Sequence, residues 1–451
     1  MTDKDDATTG ATGEESTGRE SGSGRSRTFR LGGLWRQKDF MRLWTGQSIS
    51  EFGSWLGALS LLAILVLNAT PAQMGILETL RAVPALLIGL FAGVWVDRRH
   101  RRPLLIGADI GRAVILGLVA LVAIAGLAQM AHLYVAALVI GSLTVLFNLA
   151  YHSYVPGLVR REQLVEANSK LGATASLAEI ASPGLGGLLV QILSAPFTLL
   201  LDAVSFLVSA LFVSSIGERE SRPQPGTMNG GLWGEILTGL RLVTSHPLLR
   251  ATAGASATRS FFGGFFAALY SLFVLREVGL SPAVLGLLIG AGGLGSFFGA
   301  VFAGRYNRRL GWGKGLIVAS LASSMLALLI PLASGPPLVA ASILLASQLI
   351  GDAFLAIYFI GELSLRQTIT PDHLLGRTNA SFEFLVGGIG AAGILTGGLT
   401  GQVLGLRPAT AVAAIGMVCA FLWLLLSPLR GLDDLDSWRI DDPPPPLSDL
   451  Q

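Results

Sequence analysis

Apolar runs of about 20 residues recur along nearly the whole chain. That length of α-helix is what crosses about 30 Å of hydrocarbon, so the runs constrain the fold more than any motif does. Twelve fall near 43–67, 72–96, 103–126, 131–152, 169–193, 196–216, 249–274, 281–304, 315–334, 337–361, 378–404 and 408–429. Each is continuously apolar, not alternating, which implies helices and excludes a barrel of strands. Only 14% of the 451 residues are charged, against about 25% in a soluble domain. The 57 glycines suit helices that pack closely in lipid. Short gaps carry turn signals such as NATPAQ, SAP and SGPP. The chain therefore reads as an all-α membrane protein with twelve transmembrane helices.

The polar segments order these spans. Residues 1–37 are rich in Gly, Ser, Thr and charge, too polar for a signal peptide, and are expected to form a disordered tail. Residues 431–451 include DDPPPPLSDLQ, whose prolines exclude helix, and are expected to be a disordered acidic tail. The loops after spans two, four, six, eight and ten hold Arg98 to Arg102, Arg160 and Arg161, Arg219 to Arg250, Arg305 to Lys314, and Arg366 with Arg377. The opposite loops hold only Arg276 and Arg407. Cationic loops stay in the cytoplasm, so both termini are expected there, in a bacterial cytoplasmic membrane. The lone cysteine, Cys419, excludes an internal disulfide, and the five scattered histidines offer no metal-ligand spacing. No metal or cofactor is expected.

The two halves of the chain resemble each other. DRRHRR at 97–102 lies over GRYNRR at 304–309, so that Arg98, Arg101 and Arg102 meet Arg305, Arg308 and Arg309. LVEANS at 164–169 lies over LGRTNA at 375–380, and SPGLGG at 182–187 over GILTGG at 393–398. A nearly constant shift at three landmarks implies two six-helix bundles related by an internal repeat, over 38–216 and 249–430. Between them, 217–248 is expected to be a cytoplasmic linker. It places Trp233, Ile236, Leu237 and Leu240 on one face of an interfacial helix.

Gly93, Asp97, Arg98, Arg101 and Arg102 form the pattern G-x-x-x-D-R-x-x-R-R between spans two and three. This resembles the signature loop of the major facilitator superfamily, and GRYNRR sits where that family has its second, here degraded, copy with Gly304 in place of the aspartate. LVRREQLVEANS, LLLDAVSFLVSAL and GADIGR are similar to the bacterial branch of enterobactin-type and macrolide exporters. The resemblance implies secondary transport by alternating access. It also implies that Asp97 docks at the start of span eleven, near Gly376 and Arg377, to hold the cytoplasmic side closed. Physically, the arginines suit anionic headgroups and Asp97 suits a helix N-terminus. The plainer reading is that the arginines only fix topology.

Charges within spans are costly and are usually paired or functional. Asp109 with Arg112, and Glu78 with Arg81, are three apart on one helical face and read as structural pairs. Asp202, Glu362 and Arg366 lie nearer span ends and are expected to reach water by snorkelling. Glu51, Glu179, Arg259, Asp352 and Glu383 have no opposite charge one turn away. They are the candidates for substrate or proton coupling. The resemblance favours Glu51, Arg259 and Asp352, since spans one, seven and ten line the family's cavity. A cross-bundle carboxylate–arginine pair is the alternative. In span five, Ser182, Pro183, Gly186 and Gly187 resemble the tail of the glycine–proline motif of drug antiporters, and give a kinked face for close packing.

No phosphate-binding G-x-x-x-x-G-K-[ST] loop is present, so direct ATP drive is not expected. The reading is a monomeric exporter of a small organic compound, drug-like, macrolide-like or siderophore-like, coupled to protons and working in a lipid bilayer. Nucleic acid is not an expected partner. The alternatives are an importer of the same fold, or a polytopic membrane enzyme or sensor; no catalytic cluster or soluble output domain supports the last two.

Overall fold

The computed structural model describes residues 34–89, 95–96, 99–217 and 232–431. The tails expected over 1–37 and 431–451 lie almost wholly outside these residues, as do the middle of the linker and the center of the signature loop. Among the described residues, eleven helices are long and apolar enough to cross a membrane. They are spans one (Lys38–Leu65), three (Arg101–Ile124), four (Met130–Leu158), five (Arg161–Leu193), six (Ala195–Ser214), seven (Pro247–Glu277), eight (Pro282–Leu310), nine (Trp312–Leu332), ten (Pro337–Ile369), eleven (Asp372–Leu404) and twelve (Leu406–Leu425). Span two begins as the helix Pro71–Leu87, entered through a capping box in which Thr70 and Gln73 exchange backbone bonds. The protein is thus an all-α membrane protein of twelve helices in two bundles.

The helices match the apolar runs but overrun them by one or two turns at the arginine-rich end, as in spans four, five, ten and eleven. There the chain leaves hydrocarbon while its backbone bonding continues. Hydropathy alone also hides three breaks. Span one is interrupted between Ser54 and Ala58, where Gly57 adopts φ 67°, a conformation that costs glycine little. Span seven ends in a π-helical turn, Phe273–Glu277, and span nine breaks before Leu329.

The halves, spans one to six and seven to twelve, meet along two seams. Span five packs on span eight and span two on span eleven. At the first seam Gly187 abuts the Pro282 carbonyl, and Gly286 abuts the Pro183 carbonyl. At the second, a Cβ on Gly75 would lie 2.8 Å from the Gly398 Cα. These approaches cluster at the arginine-poor end. Gly172 and Gly376, at the other ends of spans five and eleven, meet nothing described within 4 Å.

Arg276 closes the arginine-poor end. From the π turn it donates to the carbonyls of Ala69 (2.7 Å) and Ile64 (2.8 Å) in the opposite half. The other cation of this end, Arg407, donates to Pro331 (2.7 Å) and Ala333 (2.9 Å) within its own half. The two arginines of the arginine-poor end therefore satisfy carbonyls at helix ends. In the linker, a helix does form, Leu232–Ser245. Its Gly239 lies on the Arg377 carbonyl and Ser381 of span eleven, with Leu242 and Val243 buried, while Leu237 faces outward.

Hydrogen bonds to a charged group contribute about 1.5–3 kcal/mol each, so Arg276→Ala should loosen the arginine-poor end by tenfold or more. Spin labels on Asn68 and Val278 in a Cys419→Ser background should show a longer-distance population. An unchanged distance distribution would remove Arg276 from closure.

Candidate functional site

Three cavities adjoin between and within the halves. One of about 400 Å³ lies in the first half and is lined by Glu51, Arg112, Asn148 and Asp202, with Trp55 and Arg81 at its border. A second of about 380 Å³ spans the interface between Trp55, Glu78 and Arg81 on one side and Phe266, Tyr270 and Leu285 on the other. A third of about 310 Å³ lies in the second half, against Arg259, Tyr270, Gln348 and Asp352. Trp55 and Arg81 border the first two, and Phe266 and Tyr270 the last two. The result is one path of pockets across the interface, beneath the end that Arg276 closes.

Several local features build the first-half pocket. The span one break puts Trp55 and Gly57 at its wall. Gly53 has no side chain where Asp202 and Ser205 approach from span six, its Cβ position lying 2.6 Å from the Asp202 carboxylate. Asp202 is thus 8% exposed and held by Ser205, which donates to its carbonyl at 2.7 Å and its carboxylate at 3.4 Å. Span three contributes Arg112, ion-paired with fully buried Asp109. The Arg112 guanidinium is stacked between Phe147 at 4.4 Å and Phe206 at 4.2 Å. Two ring faces and one carboxylate replace the water that a buried cation loses. Glu78 is bonded by Ser60 at 2.6 Å and lies 3.7 Å from Arg81.

The second-half pocket has a different chemistry. Arg259, 3% exposed, donates to the Ser320 carbonyl (2.9 Å), the Ser320 hydroxyl (3.1 Å) and the Ser324 hydroxyl (3.0 Å). Its guanidinium lies 5.2 Å from the Tyr358 ring. No ion pair to Arg259 occurs among the described residues. Nε and Nη1 of Arg259 have no hydrogen-bond partner, and the residue lines the cavity together with Asp352. Asp352 tucks against Gly292, and exposed Glu179, from span five of the other half, lies near enough for its charge to act there.

The remaining sequence-derived residues distribute as follows. Gly93, Asp97 and Arg98 lie outside the described residues. Arg102 donates to the carbonyls of Val213 (3.2 Å) and Ser214 at the end of span six, tying spans three and six together. Arg305, Arg308 and Arg309 are exposed on the last turns of span eight, which Gly311 ends. Ser182, Pro183, Gly186 and Gly187 are buried in the span five–span eight seam and its flank on span one. Glu383 is 75% exposed and 3.7 Å from Arg366 of span ten.

One expectation needs correction. Asp202, Glu362 and Arg366 do not snorkel to water: they are 8%, 3% and 3% exposed. Neighbouring helices cover them, with Gly53 of span one admitting Asp202 of span six into close contact and Phe382 lying 3.9 Å from the Arg366 guanidinium. The pairs Asp109–Arg112 and Glu78–Arg81 do form, but their arginines and Glu78 also face the cavities. Trp55, Tyr270 and Gln348 are pocket residues that the sequence reading missed. The Gly57 break after Trp55 was the one available hint.

Residues 33–451 match the family described as transmembrane secretion effector. The chain is 26% identical over 256 residues to the uncharacterized MFS-type transporter YfiS of Bacillus subtilis, covering 55% of this chain and 56% of that protein. It thus spans little more than half the length of that curated relative. It is 26% identical over 384 residues to the multidrug efflux pump Tap of Mycolicibacterium fortuitum, covering 79% of this chain and 88% of that one. In fold it is similar to a bacterial homolog of the human lysosomal transporter Spinster in an inward-facing, occupied conformation (TM-score 0.68, 13% identity, 87% and 97% covered). It is also similar to the nucleoside transporter NupG (TM-score 0.66, 14% identity, 87% and 98% covered).

Removing one partner of a buried ion pair costs about 3–5 kcal/mol. Arg112→Met should therefore lower thermal stability in detergent strongly, and adding Asp109→Asn should recover most of the loss. A double variant as unstable as the single one would refute the pairing.

Proposed function

The chain belongs to the transmembrane secretion effector family of major facilitator transporters, and from that premise we propose that it exports a small organic amphiphile by proton-coupled alternating access. The observation that carries this reading is the path of pockets across the two halves, sealed at one end and rich in carboxylates. Glu51, Asp202 and Asp352 face it, while Arg112 is engaged by Asp109 and Arg81 by Glu78. Aromatic walls from Trp55, Phe266 and Tyr270 supply the apolar contact that an amphiphile needs. The relatives named as multidrug efflux pumps support export.

In this reading the arginine-rich end faces the cytoplasm of a bacterium, as the charge bias favours, and the closed end faces outward. The substrate enters from the cytoplasmic side into the pocket path. Carboxylates inside the bilayer are costly when charged. A substrate or a proton that neutralizes Glu51 or Asp352 therefore changes the energy of moving the halves around them. Glu179 adds a third carboxylate at the seam beside Asp352. Asp97 and the arginines beside it form the inner latch, and the protein works as a single chain.

Inverted membrane vesicles with an imposed pH gradient provide the test. A panel of lipophilic drugs and siderophores should include a compound that accumulates only when the gradient is present. Glu51→Gln should abolish that dependence while the protein still inserts, and Asp97→Asn should reduce transport far more than Gly304→Ala does. No accumulation of any compound in the panel would count against export.

A further inference from the structure

Span ten carries a buried charge cluster outside the pockets. Glu362 and Arg366 are each 3% exposed, with Arg366 Nε 3.8 Å from Glu362 Oε1. The Nη2 atom of the same guanidinium lies 3.7 Å from Glu383 Oε1 on span eleven, whose side chain is 75% exposed. Both separations exceed ordinary hydrogen-bond length. Nε and Nη1 of Arg366, and Oε1 of Glu362, have no hydrogen-bond partner. One buried cation is therefore shared between two carboxylates, one dry and one wet, without being fully committed to either.

The cluster connects to both the pocket and the moving seam. Tyr358, one turn from Glu362 and fully buried, is hydrogen-bonded to Ser256 of span seven (3.0 Å) and lies beneath Arg259, which lines the second-half pocket. Glu383 precedes by one turn Gly387, whose Cβ position lies 3.1 Å from Leu86 of span two. Glu383 is thus positioned to lose its water when spans two and eleven close at this end. The charged and titratable groups around Glu362 are Arg366 and Tyr358 on its own span and Glu383 on span eleven. Span eight adds the neutral amide of Asn307 beside Gly361.

We propose that Glu362 is a proton-carrying residue, and that Arg366 links its protonation to closure of the arginine-rich end by moving between Glu362 and Glu383. While that end is open, water solvates Glu383, and Arg366 compensates the charge on Glu362. On closure, Glu383 is dehydrated and takes the guanidinium. The Glu362 carboxylate, left buried and unpaired, binds one proton from the pocket side to become neutral. Reopening returns the guanidinium to Glu362, and the proton leaves to the water at Glu383. Arg366 is the positioning residue. The proposal rests on the alternating-access reading above but not on export of any particular compound.

The test uses the full chain with Cys419→Ser and spin labels at Trp95 and His373, reconstituted in liposomes. The distance distribution is measured across pH 5 to 9, beside ethidium uptake driven by a pH gradient. With one linked proton, the closed-to-open ratio should change by up to about tenfold per pH unit, closure being favoured at low pH. Glu362→Gln should fix the ratio near its low-pH value, Glu362→Asp should restore the pH dependence, and Arg366→Lys should weaken it. Wild-type pH dependence in Glu362→Gln would overturn the proposal, as would a pH-independent ratio in the wild type. Loss of the pH dependence in Glu362→Gln supports it even if ethidium is not moved, an outcome that counts only against export of that cation.

Discussion

Contact between glycine and backbone across the two seams is the interaction on which the rest depends. Helices in lipid gain nothing by excluding water from each other, so they are held by close packing and by hydrogen bonds that lipid cannot offer. Gly187 and Gly286 answer one another across spans five and eight, each resting on a carbonyl of a proline, Pro282 and Pro183. Any larger side chain at either position would collide with backbone, not with a movable side chain. The seam is thus tightly packed where it is closed. The pockets exist because this contact is confined to one end.

Within each half, burial of charge follows one repeated device. Arg112 stacks between Phe147 and Phe206, Arg259 lies near Tyr358, and Arg366 lies over Phe382. In each case an aromatic face takes part of the place of water, and polar partners supply the remainder unequally. Arg112 has the carboxylate of Asp109, Arg259 only hydroxyls and a carbonyl, and Arg366 two distant carboxylates. This gradation sorts the cations physically. Arg112 is held by an ion pair, Arg259 retains unused donors toward a pocket, and Arg366 lies 3.7–3.8 Å from each of two carboxylates.

Much of the architecture was legible because its cause lies in solvent. A bilayer demands long apolar helices, so twelve runs marked twelve helices, and the distribution of arginine marked two unlike ends. What escaped was whatever depends on one helix meeting another. Asp202 looked close enough to a span end to reach water, and only the approach of Gly53 shows why it does not. Arg112 and Arg81 were paired correctly with their neighbours at i−3, yet that spacing says nothing about which face meets a cavity. Arg276 stood out only as an exception to a charge bias. Its two carbonyl partners lie more than 200 positions away in the chain, beyond any local pattern.

The alternating access proposed above would place a further demand on these contacts. Two conformations of comparable free energy interconvert under modest bias, whereas a difference of about 5.5 kcal/mol separates a 1:99 population from its reverse. Two charge-assisted bonds from Arg276, at about 1.5–3 kcal/mol each, already hold the arginine-poor end by a comparable amount. Under that proposal the arginine-rich end would have to offer contacts of similar strength, and neutral packing there would not respond to a transported species. Charge does respond. A shared guanidinium between Glu362 and Glu383, and an acidic latch opposite span eleven, would draw their strength from protonation and hydration, the two quantities that change as the cavity fills and empties. The arginine-poor end is thus held by fixed backbone contacts, while under the proposal the arginine-rich end is held by titratable ones, an asymmetry on which a proton gradient would act.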